Sequence, residues 1–231
     1  MNEFADPHVE LIAHTTLACN GRSPAIEGHM SLDPDAGDAQ QLVEFAGRAC
    51  YQSFHKPNPA TAKNGDYIAR TLHGQKHFSI AEHASATFYI TGVSRALTHE
   101  LVRHRHLSYS QLSQRFVDES DANIVIPPAA RGSEKLTWEF ENAAAGARHS
   151  YRELVEALLD SGLPRKQARE AARAVLPNMT ETRIVVTGNL RAWHEVIERR
   201  TAPDADAEFQ QVAGMIRDEL QKLAPEVFPA P

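Results

Sequence analysis

The stretch SATFYITGVSRALTHELVRHRH, residues 85–106, changes its period halfway along, and that change sets the fold class. From Ser85 to Ser94, Ala86, Phe88 and Ile90 alternate with Thr87, Tyr89 and Thr91, the period of a strand with one apolar face. From Arg95 onward, Leu97 and Leu101 follow a helical spacing, and Ser94 stands where a hydroxyl can cap the first turn. The serines beyond Leu107 should weaken this helix, because hydroxyls compete for backbone groups.

The two periods recur on either side without regular alternation. HVELIAHTT (8–16) and ETRIVVTGN (181–189) predict strands, and ANIVIPPA (122–129) predicts a short one stopped by Pro127 and Pro128. QQLVEFAGRACYQS (40–53) places Leu42, Phe45, Ala46 and Ala49 on one side of a helix. DYIARTLHGQ (66–75) predicts another, with Asp66 as N-cap and Gly74 as its stop. Longer helical patterns cover 134–159, 165–175 up to the barrier at Pro177, 190–200 and 205–223. KPNPATAKNG (56–65) is loop, and 21–38 and 225–231 are expected to be loop or mobile. Strands interspersed irregularly with helices predict an α+β chain, one domain spanning 1–231.

Composition narrows the function. A formal net charge of −6 sets the overall field against DNA, RNA or an anionic membrane. Hydrophobic residues at 42% and charged residues at 23% fit a folded globular chain. Only two cysteines, Cys19 and Cys50, argue against a disulfide framework. No apolar run is long enough to span a bilayer, and the first residues lack a basic segment followed by an apolar one, so a soluble, cytoplasmic protein is expected.

Against that acidic background Arg103, His104, Arg105 and His106 form an unbroken basic row, followed by Ser108, Ser110, Gln111, Ser113, Gln114 and Arg115. As a solvated helix face such a row is ordinary. Guanidinium, amide and hydroxyl groups together also match phosphate oxygens and nucleobase edges, which points to a small anion in a pocket. Arg200 is odd for a different reason. In the helix beginning near Asn189 it shares the face of Trp193, Val196 and Ile197, where an arginine either snorkels to water or is paired. Arg199, four residues beyond Glu195, reads as a surface ion pair, and Arg173, three beyond Glu170, reads as another.

Other chemistry is weaker. His73 and His77 are four apart, a spacing that can chelate zinc, but Gly74 lies between them, no HExxH occurs, and Arg103 and Arg105 flank the later histidines, so no metal is expected. Cys50, four after Ala46, reads as a small core residue. Ser113 is either a nucleophile with His104 or His106 as base, or a hydrogen-bond donor to an anion.

Arg103-His104-Arg105, seven residues and then Ser113 resembles the signature of flavin-dependent thymidylate synthases. EFAGRACYQS, HFSIAEHASATFYITGVSRALTHE, SYSQLSQR, RKQAREAARAVLPNMTETRIVVTGN and RAWHEVIERR resemble the same family, over most of residues 8–228. The resemblance implies an α+β fold with a mixed sheet, assembled as a homotetramer whose sites are built from several chains. It implies transfer of a methylene carbon from methylenetetrahydrofolate to dUMP, with reduction to dTMP by FAD that NADPH has reduced, and no cysteine nucleophile. Ser79, Arg103, His104, Arg105, His106, Gln111, Asn189, Leu190, Arg191 and Glu195 are then expected at FAD. Glu100, Leu101, Val102, Arg103, Gln111, Leu112, Ser113, Gln114, Arg115, Arg173 and Arg200 are expected at dUMP, with Arg95 assisting. Arg200 takes the catalytic place, favouring loss of the uracil N3 proton, an electrostatic effect worth about 3–4 kcal/mol by analogy with oxyanion donors. The chain departs from the family pattern at Glu195, where His or Asn is frequent, at Asp204 in place of His and at Phe116 in place of Tyr.

Overall fold

The computed structural model describes residues 4–21, 23–55 and 58–230. Arg22, Lys56 and Pro57, within the expected loops, and Pro231, in the expected C-terminal tail, lie outside the described residues. In chain order the elements are β1 (His8–His14), α1 (Pro24–Glu27), α2 (Asp38–Tyr51), α3 (Asn64–Ile68), β2 (Ser85–Ser94), α4 (Arg95–Leu101), β3 (Leu107–Gln111), α5 (Glu134–Asp160), α6 (Arg165–Ala172), β4 (Glu181–Asn189), α7 (Leu190–Arg200) and α8 (Ala207–Leu223).

The α+β class stands, but the sheet is not mixed. Its order is β1-β2-β4-β3 and every strand pairing in it is antiparallel. Among the described residues no helix carries the chain from one strand to a parallel neighbour. The parallel contact that does occur is an isolated bridge between Phe4 and Ile124. Of ANIVIPPA, Ile124 makes the bridges, one to Phe4 and one to Thr180, and the Val125 N–H donates to the Met179 carbonyl at 2.9 Å; Pro127 and Pro128 have no amide with which to extend the pairing.

The predicted alternation of β2 is realised. Ala86, Phe88 and Ile90 are at most 1% exposed, and Phe88 and Ile90 stand opposite Val186 and Ile184 of β4. Helices α2, α3, α7 and α8 close over this face in one core containing Val43, Ile68, Leu72, Trp193, Val196, Phe209 and Ile216. The Trp193 ring meets Phe88 edge-on at 5.0 Å, and its indole N–H donates to the Ala86 carbonyl at 3.1 Å. Such an aromatic pair contributes about 0.5–1.5 kcal/mol beyond its buried area. Near the end of β2 the register shifts between Ile90 and Val93. Gly92 there has φ 66°, and a Cβ on it would lie 1.8 Å from the Asp6 carbonyl oxygen, so only glycine fits this bulge.

Several helices differ from expectation. A one-turn α1, capped by Ser23, forms inside the expected loop 21–38. Residues 225–230 are irregular, yet Val227 and Phe228 are buried in the core. In α2 the buried positions are Ala39, Val43 and Gly47 together with Gln40, Gln41, Glu44 and Arg48, while Leu42, Phe45, Ala46 and Ala49 are only half-buried. The polar side chains satisfy one another: Arg48 Nε donates to Glu44 at 2.6 Å, Asn64 Nδ2 donates to Glu44 at 2.8 Å, and Gln40 Nε2 donates to Asn64 at 3.1 Å. Helix α3 begins two residues before Asp66, which sits in the first turn rather than at the cap, and it widens into a π-helical turn over Ala69–Gly74. Helix α5 matches the expected span, with Ala144, Arg148 and Tyr151 as its buried residues.

Candidate active site

Ser94 ends β2 and caps α4, its Oγ accepting the Leu97 N–H at 3.0 Å as expected. The helix stops at Leu101, so the basic row is not helical. Residues 103–106 form turns instead, and Tyr109 closes them by sharing its hydroxyl proton between the carbonyls of Leu101 (2.8 Å) and His104 (2.9 Å). Burial pushes the Tyr109 phenol up to about 12, which keeps it a donor. His106 takes a left-handed conformation, φ 66°, and the chain then enters β3, a strand where a fading helix was expected. The alternation of Leu107, Tyr109 and Gln111 was its signal.

Arg200 does not snorkel. Its side chain is 20% exposed, its Nε donates to His104 Nε2 at 2.9 Å, and its Nη1 donates to Glu100. The guanidinium lies over the Phe209 ring, 4.7 Å from the centroid. A cavity of about 440 Å³ opens here, lined by Glu100, Arg103, His104, Arg199 and Arg200. Burial, then the charges of Arg200 and Arg199, hold the His104 imidazole below its ordinary value.

A second cavity, about 320 Å³, is lined by Glu82, His106, Asn189, Arg191, Ala192 and Glu195. Asn189 caps α7, its Oδ1 accepting the Ala192 N–H at 2.8 Å. Arg191 is held by Glu82 at 2.5 Å and by Glu195 at 3.6 Å. Glu195 therefore pairs with Arg191 rather than with the expected Arg199. Arg191 also lines a neighbouring cavity with Cys50, Tyr51, His77 and Ser79. Cys50 is exposed there, which corrects the reading of it as a core residue: in α2 the inward place near it falls to Gly47 and Arg48.

A third group gathers at the other end of α4. Arg95 Nη1 and Gln114 Nε2 are buried donors without a partner among the described residues. Burial holds the Arg95 guanidinium below its ordinary value against the opposing pull of Glu119, and Arg173 adds to the lowering, so the two cations feel one another. Ser113 Oγ accepts the Arg115 N–H at 3.4 Å. Arg115 pairs with Glu170 at 2.8 Å, which displaces the expected Glu170–Arg173 pair. Buried, unmatched donors beside repelling guanidiniums fit a dianionic ligand.

Gln111 ties the arrangement together by donating to Thr98 Oγ1 at 2.9 Å and Thr182 Oγ1 at 3.2 Å. Leu101 and Leu190 are completely buried, so only their backbones can meet a ligand; the Leu190 N–H already donates to the Ala84 carbonyl. Val102 is exposed, and the Leu112 N–H is used by the Arg183 carbonyl. Within one chain the Arg200 group and the Arg95–Arg173 group sit towards opposite ends of a seven-residue helix, about 10 Å long. Arg103, which lines the Arg200 cavity, and Arg105 have no acidic partner among the described residues, while Asn189 and Ser79 line the two cavities that share Arg191. Sequence reading missed Phe209 and Tyr109, whose roles depend on contacts between elements.

Comparison with known proteins bears on this geometry. The family model described as "Thymidylate synthase complementing protein" matches residues 34–226. The flavin-dependent thymidylate synthase of Mycobacteroides abscessus is 51% identical over 235 residues, covering 99% of this chain and 91% of that protein. Those of Mycolicibacterium gilvum and Mycobacterium tuberculosis are 52% and 50% identical with the same coverage. With its length matched and its basic turn and arginine-bearing helix in place, the chain belongs to the thymidylate synthase complementing protein family.

Proposed function

We propose that this chain is a flavin-dependent thymidylate synthase, converting dUMP to dTMP with methylenetetrahydrofolate as carbon donor, FAD as cofactor and NADPH as reductant. The relatives that match nearly the whole chain carry that name. The observation that carries the reading is Arg200, a cation fixed on an otherwise apolar helix face by His104, Glu100 and Phe209.

The phosphate of dUMP falls to Arg95, Ser113, Gln114, Arg115 and Arg173, a group in which Arg95 and Gln114 carry buried donors without a partner among the described residues. Arg200 lies against the uracil ring and stabilises the negative charge left when N3 loses its proton, with Glu100 and Gln111 orienting the base. A fixed guanidinium needs no reorganisation as that charge develops, which is the source of its advantage over water. FAD, when bound, supplies the hydride. Ser79, Arg103, Arg105, His106, Asn189 and Arg191 hold its nucleotide, with His104, Gln111, Glu195 and the Leu190 backbone close by.

The chain works as a single domain within a homotetramer. The separation of the two basic groups along α4 supports this, since a neighbouring copy can bring its phosphate-binding group to the Arg200 cavity. Leu136, Trp138 and Leu154, exposed on α5, supply apolar surface for such contacts. No described helix is long and apolar enough to cross a membrane.

The test is release of tritium from dUMP labelled at carbon five, assayed with FAD, NADPH and methylenetetrahydrofolate and with each omitted in turn. Release that requires all three supports the reading. Nucleotide binding without release would make the chain a binding module.

A further inference from the structure

We propose that His104 and Phe209 are positioning residues for Arg200: His104 accepts the Arg200 Nε–H as the neutral tautomer protonated on Nδ1, Phe209 supports the guanidinium face, and protonation of His104 releases the arginine. This rests on the reading of Arg200 as the residue that meets the uracil ring.

The hydrogen-bond inventory leaves one assignment. A guanidinium only donates, so the His104 nitrogen 2.9 Å from Arg200 Nε must carry a lone pair. The imidazole is then neutral, with its proton on Nδ1, where it remains a donor for a bound anion. Glu100 takes the Nη1 side, so two of the three guanidinium nitrogens are fixed and Nη2 is left for a ligand. The Phe209 ring is wholly buried and touches both partners, with the Arg200 guanidinium carbon 4.7 Å from its centroid and the His104 ring edge-on at 6.1 Å. One aromatic side chain of α8 thus sets the height of a residue on α7 and of another in the turn after α4.

The charged surroundings favour the neutral ring. From α7 it is faced by Arg200, Arg199 and Glu195, from α4 by Glu100, and α8 contributes the uncharged Phe209. Arg103 and Arg105 flank it along the chain. Burial and the two α7 arginines outweigh the two carboxylates, so the imidazole titrates below its ordinary value. Once protonated, it presents a second cation to Arg200 in place of an acceptor. The arginine keeps Glu100 but loses the contact that fixes its plane.

Two measurements decide this. Nitrogen-15 NMR of the imidazole rings reads the tautomer directly: in the wild type His104 should be the Nδ1–H form, and in Arg200→Gln its pKa should rise. An Nε2–H ring, or a pKa indifferent to Arg200, overturns the proposal. Separately, the pH dependence of kcat and of KM for dUMP is followed by tritium release, with flavin content checked by absorption. His104→Gln keeps an oxygen near the Nε2 position that accepts at every pH, so, whatever its plateau rate, its kcat profile should lack the acid limb of the wild type. His104→Ala should lose about 10- to 100-fold in kcat across the range, as expected of a misplaced group. Phe209→Leu, which keeps the site filled, should lower kcat and leave the KM for dUMP in place. An acid limb unchanged in His104→Gln, or wild-type turnover in His104→Ala, sinks the positioning role. A wild type that gives the expected tautomer but no tritium release instead sinks the functional reading and leaves the His104–Arg200 pairing standing.

Discussion

Glu208 at the start of α8 grips Ser94 at the start of α4, its two carboxylate oxygens accepting the Ser94 N–H at 2.7 Å and hydroxyl at 2.6 Å. Both residues are buried, and 114 positions of chain separate them. The helix that begins the basic turn is therefore anchored from the far end of the sequence, by the residue next to Phe209.

Ser94→Ala removes the α4 cap and leaves the buried Glu208 carboxylate without its hydroxyl donor, the backbone N–H at position 94 remaining. A loss of about 2–4 kcal/mol in unfolding free energy is expected. Urea denaturation of the wild type and variant measures it, and a loss below about 0.5 kcal/mol would show that α4 is held by other contacts.

Arg200→Ala should keep bound flavin and lower kcat by about 10²- to 10³-fold, the cost of removing one donor from a developing anion. Tritium release gives the rate and the visible spectrum gives the flavin content. Near-normal turnover would take Arg200 off the catalytic list.

Glu195→Gln frees Arg191 from one of its two carboxylates. Both groups are nearly half exposed, so the gain is small: FAD should bind about two- to fivefold more tightly to the variant, and less so at high salt. Titration of the apoprotein by flavin fluorescence reports it, and weaker binding would mean that Glu195 itself contacts the cofactor.

Burial raises the Glu119 carboxyl from 4.5 to about 7 in the folded chain, with Arg95 pulling it down and Glu181 and Asp118 pushing it up. Between these two values the folded state holds a proton that the unfolded state has released, so this group's contribution to stability falls as pH rises through the window and is lowest above it. Glu119→Gln cannot ionise. Its Tm relative to the wild type should therefore climb between about pH 5 and pH 8, each kcal/mol being worth about 2–4 °C at this chain length. A constant difference would place the Glu119 titration elsewhere.

Replacing both cysteines, Cys19→Ser with Cys50→Ser, should preserve turnover, because both thiols are exposed and the reading assigns neither to the reaction. Abolished tritium release with flavin still bound would bring back a thiol nucleophile.

Periodicity alone located the strand from Ser85 to Ser94, its Ser94 cap, the long α5 and the anomalous side of α7 that carries Arg200. It failed where polar groups satisfy one another inside the fold. The buried set of Gln40, Glu44, Arg48 and Asn64 turned α2 away from its apparent apolar face. Ion-pair partners failed for a related reason. Glu195 has an arginine four residues away on either side, and Glu170 chose Arg115 from a distant segment over its own neighbour Arg173. Local spacing offers such options, and packing between elements selects among them. The site residues supplied by the family signature sit on three separate groups of this chain, a division that no spacing rule announces.

His106 holds a backbone shape that glycine would adopt at lower cost, a difference of about 1–2 kcal/mol. A laboratory evolution experiment that rewarded only resistance to heat would consequently drift toward glycine at this position and, with His106 in its proposed place at FAD, the survivors would hold flavin less well. Thermal hardiness and catalysis would then pull in opposite directions on a single residue.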